Sequence, residues 1–377
     1  MIDAKTALIQ KTELLCKGLY LDKELFNKYK DQGIEIDFGR KGGAGPLGGR
    51  YFILEDNSTL VNVALWNRQE KTNLVLGEKN GEYFKIYDRI NDRSFAEVEL
   101  VKNPRFYTQK TSDGIDMKKV ALVHGIDCLA STIYQKCVYW ACGEPCAFCG
   151  IELSLQYDTT IEEKNATQMS EVITAAKKEG RCSHMTLTSG TDEKIDKGAN
   201  RYIELLNGIK AKHPDIPVHV QIEALDDLSY IDRLKEAGAD SIGIHIEVLD
   251  ESLRKEITPG KSSISYEIFE ENWNHAIDVF GKNQVSSYIL TGFGESKEKF
   301  LKDLENVIAI GVIPYITPVR SIPGKKELPA TNYSELLEIY TIAAKLMKQY
   351  DVNPLKNKAG CVKCGGCSAI KEAYIAF

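Results

Sequence analysis

No apolar run in the 377 residues approaches about 18, the length that crosses a bilayer. From Met1 to Lys17, Asp, Lys, Gln and Glu interrupt the apolar positions, so a signal-peptide core is missing too. The expectation is a soluble, cytoplasmic protein. Positive charge is not in excess either. The formal net charge is -6, which argues against a protein whose main task is to neutralise a phosphate backbone. Ten cysteines are too few for a disulfide scaffold in a chain this long. With 29 Gly and 11 Pro the composition is neither collagen-like nor low-complexity. What is present is core material: 43% hydrophobic residues, enough for one large domain and an appendage.

The chain divides by pattern. Residues 3–16 and 22–31 carry apolar positions at helical spacing. Asp37 to Arg50 then holds six glycines with Arg40, Lys41 and Arg50 among them, and reads as a loop. Short alternating segments follow near 51–65, 73–76, 83–87 and 95–101. A small α+β domain over residues 1–115 is the expectation. From about residue 120, six candidate strands (130–136, 184–188, 217–222, 241–246, 284–290 and 313–317) alternate with amphipathic helices (168–178, 201–212, 227–237, 266–280, 297–308 and 333–349). Such alternation forces parallel strands with helical crossovers. The result is an α/β fold, either an open doubly wound sheet or an incomplete barrel over 120–350, with its site at the strand C-termini. Residues 351–377 form a cysteine-rich tail.

Seven of the ten cysteines fall in two groups, and clustering of soft thiolates points to metal. In the first group, Cys137, Cys142, Cys146 and Cys149, the last three have C-x3-C-x2-C spacing in the loop after the first predicted barrel strand. Three ligands from one loop leave a fourth metal position open, which suits catalysis by an iron–sulfur cluster. The competing readings are a zinc site completed by Cys137 and a purely redox cluster. These residues, with Phe148 just before the last cysteine, resemble the radical S-adenosylmethionine enzymes, a family with a (β/α)6 partial TIM barrel.

The resemblance implies a [4Fe-4S] cluster whose fourth iron is chelated by S-adenosylmethionine, and it extends over about residues 120–350. Ser189, Gly190 and Thr191 stand where the family has a Gly-Gly-Glu-like stretch that receives the methionine amino group, although no Glu is present here. His245 and Glu247 close the fourth strand, and Glu223 with Gln221 follows the third, all within reach of cofactor or substrate. Gly292 and Glu295 resemble the Gly/Glu stretch that supports the adenine, and Pro318 to Gly324 resembles the proline-glycine turn of the biotin-synthase-like branch. Arg320 is a candidate carboxylate clamp because its fork matches that group, with a surface ion pair as the competing reading. The first cluster ligand stays open: the family's usual interval favours Cys142, whereas a ligand at the strand's end favours Cys137.

The second group, Cys361, Cys364 and Cys367, has C-x2-C-x2-C spacing that can cap three irons of a second cube, with Gly365 and Gly366 letting the backbone fold around it. A zinc knuckle and an unligated tail are the alternatives. The fourth ligand could be Cys137, Cys16, Cys128, Cys182 or the Ser368 hydroxyl, or be absent. The resemblance to the biotin-synthase and lipoyl-synthase side of the family implies sulfur insertion at an unactivated carbon, with the tail cluster as sulfur donor. It extends to the archaeal two-protein lipoyl synthase system, implying an acyl-peptide or small-molecule substrate, a ferredoxin or flavodoxin as electron donor and a second radical protein as partner. A radical rearrangement or carbon–carbon bond step in cofactor synthesis, and a non-catalytic iron–sulfur scaffold, are the other readings. The Arg40 to Gly45 stretch resembles the basic loop of lipoate transferases, with a purely structural loop as its competitor.

Overall fold

A computed structural model describes residues 2–36, 38, 49–322 and 327–377. Most of the glycine-rich loop, with Arg40 and Lys41, and the Pro323-Gly324 turn lie outside the described residues.

Helices α1 (Ala4–Lys17) and α2 (Lys23–Asp31) start where the Asp3 and Asp22 carboxylates cap free backbone N–H groups. They accompany a sheet built from β1 (Leu19–Tyr20), β2 (Arg50–Leu54), β3 (Leu60–Val63), β4 (Leu65–Trp66), β5 (Leu74–Asn80), β6 (Tyr83–Asp88) and β7 (Arg93–Leu100). Its strand order is β3-β2-β7-β6-β5-β1-β4, antiparallel except where β1 joins β4 and β5. Apolar side chains such as Phe52, Val61, Leu74, Leu76, Phe84, Ile86 and Val98 fill its core. Arg50, the last residue of the glycine-rich stretch, is tied to the carbonyls of Glu35 and Val101.

The second sheet has the order β14-β13-β12-β11-β10-β9-β8. Its strands are β8 (Leu122–His124), β9 (Cys128–Thr132), β10 (His184–Thr188), β11 (Val218–Ile222), β12 (Ser241–Ile244), β13 (Val285–Thr291) and β14 (Ile313–Pro318). The six from β9 to β14 are parallel, and β8 pairs antiparallel at the edge. Short helices α3 (Met117–Val120), α4 (Val138–Ala141) and α5 (Ile151–Gln156) flank the first strand. The crossovers are carried by α6 (Ala166–Lys178), α7 (Ala199–Lys212), α8 (Ser229–Glu236), α9 (Glu251–Ile257), α10 (Tyr266–Phe280) and α11 (Lys297–Ile310), and α12 (Tyr333–Gln349) follows β14. Asn165 and Gln168 close a reciprocal capping box on α6. Right-handed crossovers curl this sheet into a nearly closed barrel, the α/β partial barrel expected from the sequence.

Several expected boundaries in the barrel move by one or two residues, and one moves further. The first barrel strand ends at Thr132, not Lys136, because the backbone leaves the ladder after its last bond, from Ile133 N to Thr188 O (2.8 Å), and Gln135 N turns instead to Glu162 O (2.8 Å). Beyond α12, helices α13 (Gly360–Cys364) and α14 (Ile370–Ala376) return against the barrel, and α14 packs on α1 and α12. Among the described residues no helix is long and apolar enough to cross a membrane.

Candidate active site

The carboxyl ends of the barrel strands and the cysteine loop enclose a cavity of about 350 Å³. Its floor and its roof are both lined by thiols, from different cysteine groups. At the roof are Cys137, Cys146 and Cys149, with Phe148, Ser189, Gly190 and Thr191 beside them. Cys137 caps α4, and its place is set by backbone crossings: Gly190 N donates to Tyr134 O and Val138 N to Thr191 O, both at 2.9 Å. A Cβ at residue 190 would sit 1.8 Å from Lys136 O, so only glycine lets these two chains cross. Cys142 is exposed and does not line the cavity; its thiol points to Tyr139 O at 3.6 Å. The geometry therefore groups Cys137 with Cys146 and Cys149.

A turn that sequence reasoning missed, Thr258 to Lys261, clamps the cysteine loop. Ala147 N donates to Ile257 O (2.8 Å), Gly260 N donates to Glu144 O (3.3 Å), and Gly260 lies so close to the Tyr139 ring that a Cβ there would stand 2.2 Å from it. Tyr139 Oη in turn donates to Glu223 Oε1 (2.9 Å), and Thr191 Oγ1 to Glu223 Oε2 (3.0 Å). Lys261 Nζ donates to Glu247 Oε1 (2.8 Å). Burial opposes the charge on Lys261, yet Glu247, the Cys146 sulfur and Glu223 outweigh it and hold the ammonium well above its ordinary range. Burial pushes the Glu247 carboxyl up while Lys261 pulls it back. The backbone of Glu247 is left-handed, with φ of 58°, a strained conformation of the kind found at functional sites.

The barrel interior below carries a ladder of rings. His245 stacks on Tyr288 (centroids 4.3 Å apart, 5° between planes), and Tyr288 on Tyr315 (5.0 Å, 28°). His245 Nδ1 accepts from Tyr288 N at 3.1 Å, and burial pushes the imidazole well below its usual pKa, so it stays neutral. Two expected cofactor residues, Gly292 and Glu295, do not line the cavity. Glu295 accepts from Gly292 N (3.0 Å) and Phe293 N (2.8 Å) and so closes its own loop. Arg320 does line the cavity, but its fork reaches Asn62 Oδ1 (3.1 Å), Asn62 O (2.7 Å) and Leu15 O (3.2 Å).

At the floor, the segment before α13 plugs the amino ends of the strands. Gly360 N donates to His184 Nδ1 (3.0 Å), Lys358 N to Gln284 Oε1 (3.1 Å) and Asn357 Nδ2 to Asn283 O (2.9 Å). Cys361 and Cys367 face the cavity. Donors are aimed at their sulfurs: Gln221 Nε2 at Cys361 Sγ (3.4 Å) and Asn62 Nδ2 at Cys367 Sγ (3.3 Å), with Tyr51 Oη 3.9 Å from the latter. Burial pushes the Cys361 thiol up to about 12. Cys364 moves the other way because it shares a hydrogen bond with Cys128, at the start of β9. Of the candidates for a fourth ligand, Cys128 is thus the one beside the trio. Cys137 sits at the roof, and the Ser368 hydroxyl turns to Tyr340 Oη at 3.5 Å.

The donor chemistry fits iron–sulfur groups at both ends. Burial raises the thiols of Cys146 and Cys361, a cost that a metal offsets when it takes the proton's place, and the N–H donors aimed at Cys361 and Cys367 match the charge that remains. Among the described residues no three His, Cys, Asp or Glu side chains close around a single metal ion; the thiolates of a cube each bind their own iron and stand farther apart.

Comparison with known proteins bears on the roof site. The mitochondrial lipoyl synthase of Medicago truncatula is 21% identical over 202 residues, 51% of this chain and 50% of that one, so the chain spans about half the length of this curated relative. Among solved structures, Streptococcus suis SuiB is 14% identical, covering 62% of this chain and 49% of its own, with a TM-score of 0.45. A radical SAM methyltransferase from Sphaerobacter thermophilus is 10% identical over 74% of this chain and 76% of its own, with a TM-score of 0.43. Residues 138–307 match the family described as the Radical SAM superfamily, a stretch that holds Cys142, Cys146 and Cys149 and the barrel strands β10 to β13.

Proposed function

We propose that the chain is a radical enzyme acting on a substrate held between two iron–sulfur groups, with sulfur insertion at an unactivated carbon as the outcome. The observation that carries this reading is the shared cavity, lined at one end by Cys137, Cys146 and Cys149 and at the other by Cys361 and Cys367. The roof thiols would hold the family's [4Fe-4S] cluster beside S-adenosylmethionine, which together supply radical chemistry, and Cys361, Cys364 and Cys367 would hold a second cluster as the source of sulfur. The chain's own residues then have defined tasks. Glu223 and Glu247 offer acceptors to a polar cofactor, and Lys261 balances their charge next to Cys146. The ring ladder and the tail plug shut the barrel interior from water, which would otherwise quench a radical. The electron comes from an external reductant of the ferredoxin or flavodoxin type.

The test is to reconstitute the full chain with iron and sulfide, reduce it with dithionite and supply S-adenosylmethionine with acylated peptides. The expected result is 5'-deoxyadenosine together with a thiolated product. Replacing Cys361, Cys364 and Cys367 by Ala should halve the iron, from about eight to about four per chain, and abolish the thiolated product while cleavage persists. Absence of 5'-deoxyadenosine would mark the protein as a scaffold. Product accumulating over an undiminished second cluster would make that cluster a relay or an anchor.

A further inference from the structure

The N-terminal sheet reaches the tail site through Asn62 on β3. This side chain is wholly buried. Its backbone N donates to Gly366 O at 2.7 Å, holding the turn between Cys364 and Cys367. Which end of the amide faces the sulfur is settled by Arg320. A guanidinium only donates, so the amide atom it meets at 3.1 Å must be Oδ1, and the NH2 group is left pointing at Cys367 Sγ, 3.3 Å away. A second bond from Arg320, to Asn62 O at 2.7 Å, pins the same residue from the backbone side. The arginine therefore orients a donor.

Given the reading that the tail thiols hold an iron–sulfur group, we infer that Asn62, oriented by Arg320, is a positioning residue that donates an N–H···S hydrogen bond to the Cys367 thiolate and raises the reduction potential of that group. Hydrogen bonds to ligand sulfur stabilise the more negative, reduced state, so they move the potential upward. The N-terminal sheet thereby becomes part of the tail site.

The test uses the full chain with Cys137, Cys142, Cys146 and Cys149 replaced by Ala, so that only the tail can hold iron, and follows the reduced cluster by EPR during a redox titration. Asn62→Leu should shift the midpoint to lower potential. Asn62→Asp keeps an acceptor for Arg320 but turns an oxygen toward the sulfur, and should shift it further in the same direction. Arg320→Gln, which frees the amide, should give a smaller shift of the same sign. Unchanged midpoints in both Asn62 variants would overturn the inference. So would loss of iron from both while Arg320→Gln retains it, because Asn62 would then build the pocket and not tune it. Lack of any iron–sulfur signal in the parent would instead remove the tail-cluster reading itself.

Discussion

Gly190→Ala tests the roof site at its tightest point. The added Cβ would fall 1.8 Å from Lys136 O, 2.5 Å from Lys136 C and 3.0 Å from Cys137 Cα, and Cβ contacts below 3.0 Å are essentially never found. The obstacle is backbone, so no rotamer change relieves it, and one chain must retreat by more than an ångström. The bonds from Gly190 N to Tyr134 O and from Val138 N to Thr191 O tie the two runs together, so the retreat carries Cys137 away from Cys146 and Cys149. Overpacking of this kind costs about 1–3 kcal/mol of stability. Misplacing a reacting group by about 1 Å costs on the order of 10²-fold in rate. The assay is iron content, the charge-transfer absorbance of the cluster, and the rate of 5'-deoxyadenosine formation, with thermal unfolding as a control. A folded variant with full iron that cleaves S-adenosylmethionine at the parental rate would refute both the crossing argument and the place given to Cys137.

Three further expectations follow from the geometry. Cys137→Ala should lose the roof cluster and its cleavage activity, whereas Cys142→Ala, altering an exposed thiol off the cavity, should keep both; iron analysis of the two variants decides. Gly360→Ala should release the tail plug, since its φ is 81° and a Cβ would meet His219 Cγ at 2.4 Å; faster proteolysis after residue 350 is the readout, and parental resistance would count against the plug. Burial holds His184 down to about 4 and His219 down to about 3, below the ordinary 6.5. The unfolded chain then binds more protons below pH 6.5, so stability is complete above that value and falls by up to about 1.4 kcal/mol per unit and per group as the pH drops toward the folded-state values. Urea denaturation at pH 7.5 and 5 measures it, and equal unfolding free energies would contradict the buried neutral state.

Much of the barrel can be read from periodicity. His184–Thr188, Tyr266–Phe280 and Tyr333–Gln349 coincide with the expected bounds because the alternation in the strand and the helical spacing of apolar residues in the two long helices are consistent at every position. The expected strand Ala130–Lys136 is too long because after Ile133 the backbone turns away to bond Glu162, a residue distant in the chain. The same limit applies to the site. Cysteine spacing points to metal at both groups, but not to the tail closing the amino end of the barrel, nor to Cys142 standing outside the cavity while Cys137 faces it. Arg320 has the side chain of a carboxylate clamp, and only its contact with Asn62, 258 residues away, shows what it holds. Lys261 lies in a Thr-Pro-Gly-Lys turn that looks like any connector until its neighbours Glu247 and Cys146 are in place.

The tie between α1 and the tail has a kinetic consequence. Lys11, wholly buried, donates to Gly365 O at 2.8 Å and pairs with Glu372 at 2.9 Å, joining parts of the chain separated by 354 residues. Contacts of such sequence separation form late, because the entropy of closing so long a loop must be spent before they give anything back. The pocket around Cys361, Cys364 and Cys367 therefore exists only once the first sheet, the barrel and the plug have all found one another, while the roof loop is held by barrel segments only, the end of β10 and the Thr258 to Lys261 turn. Metallation should follow the same sequence, roof first and tail last. Iron captured at the tail would act as a latch, its binding energy added to the stability of the assembled whole and withdrawn each time the metal is lost.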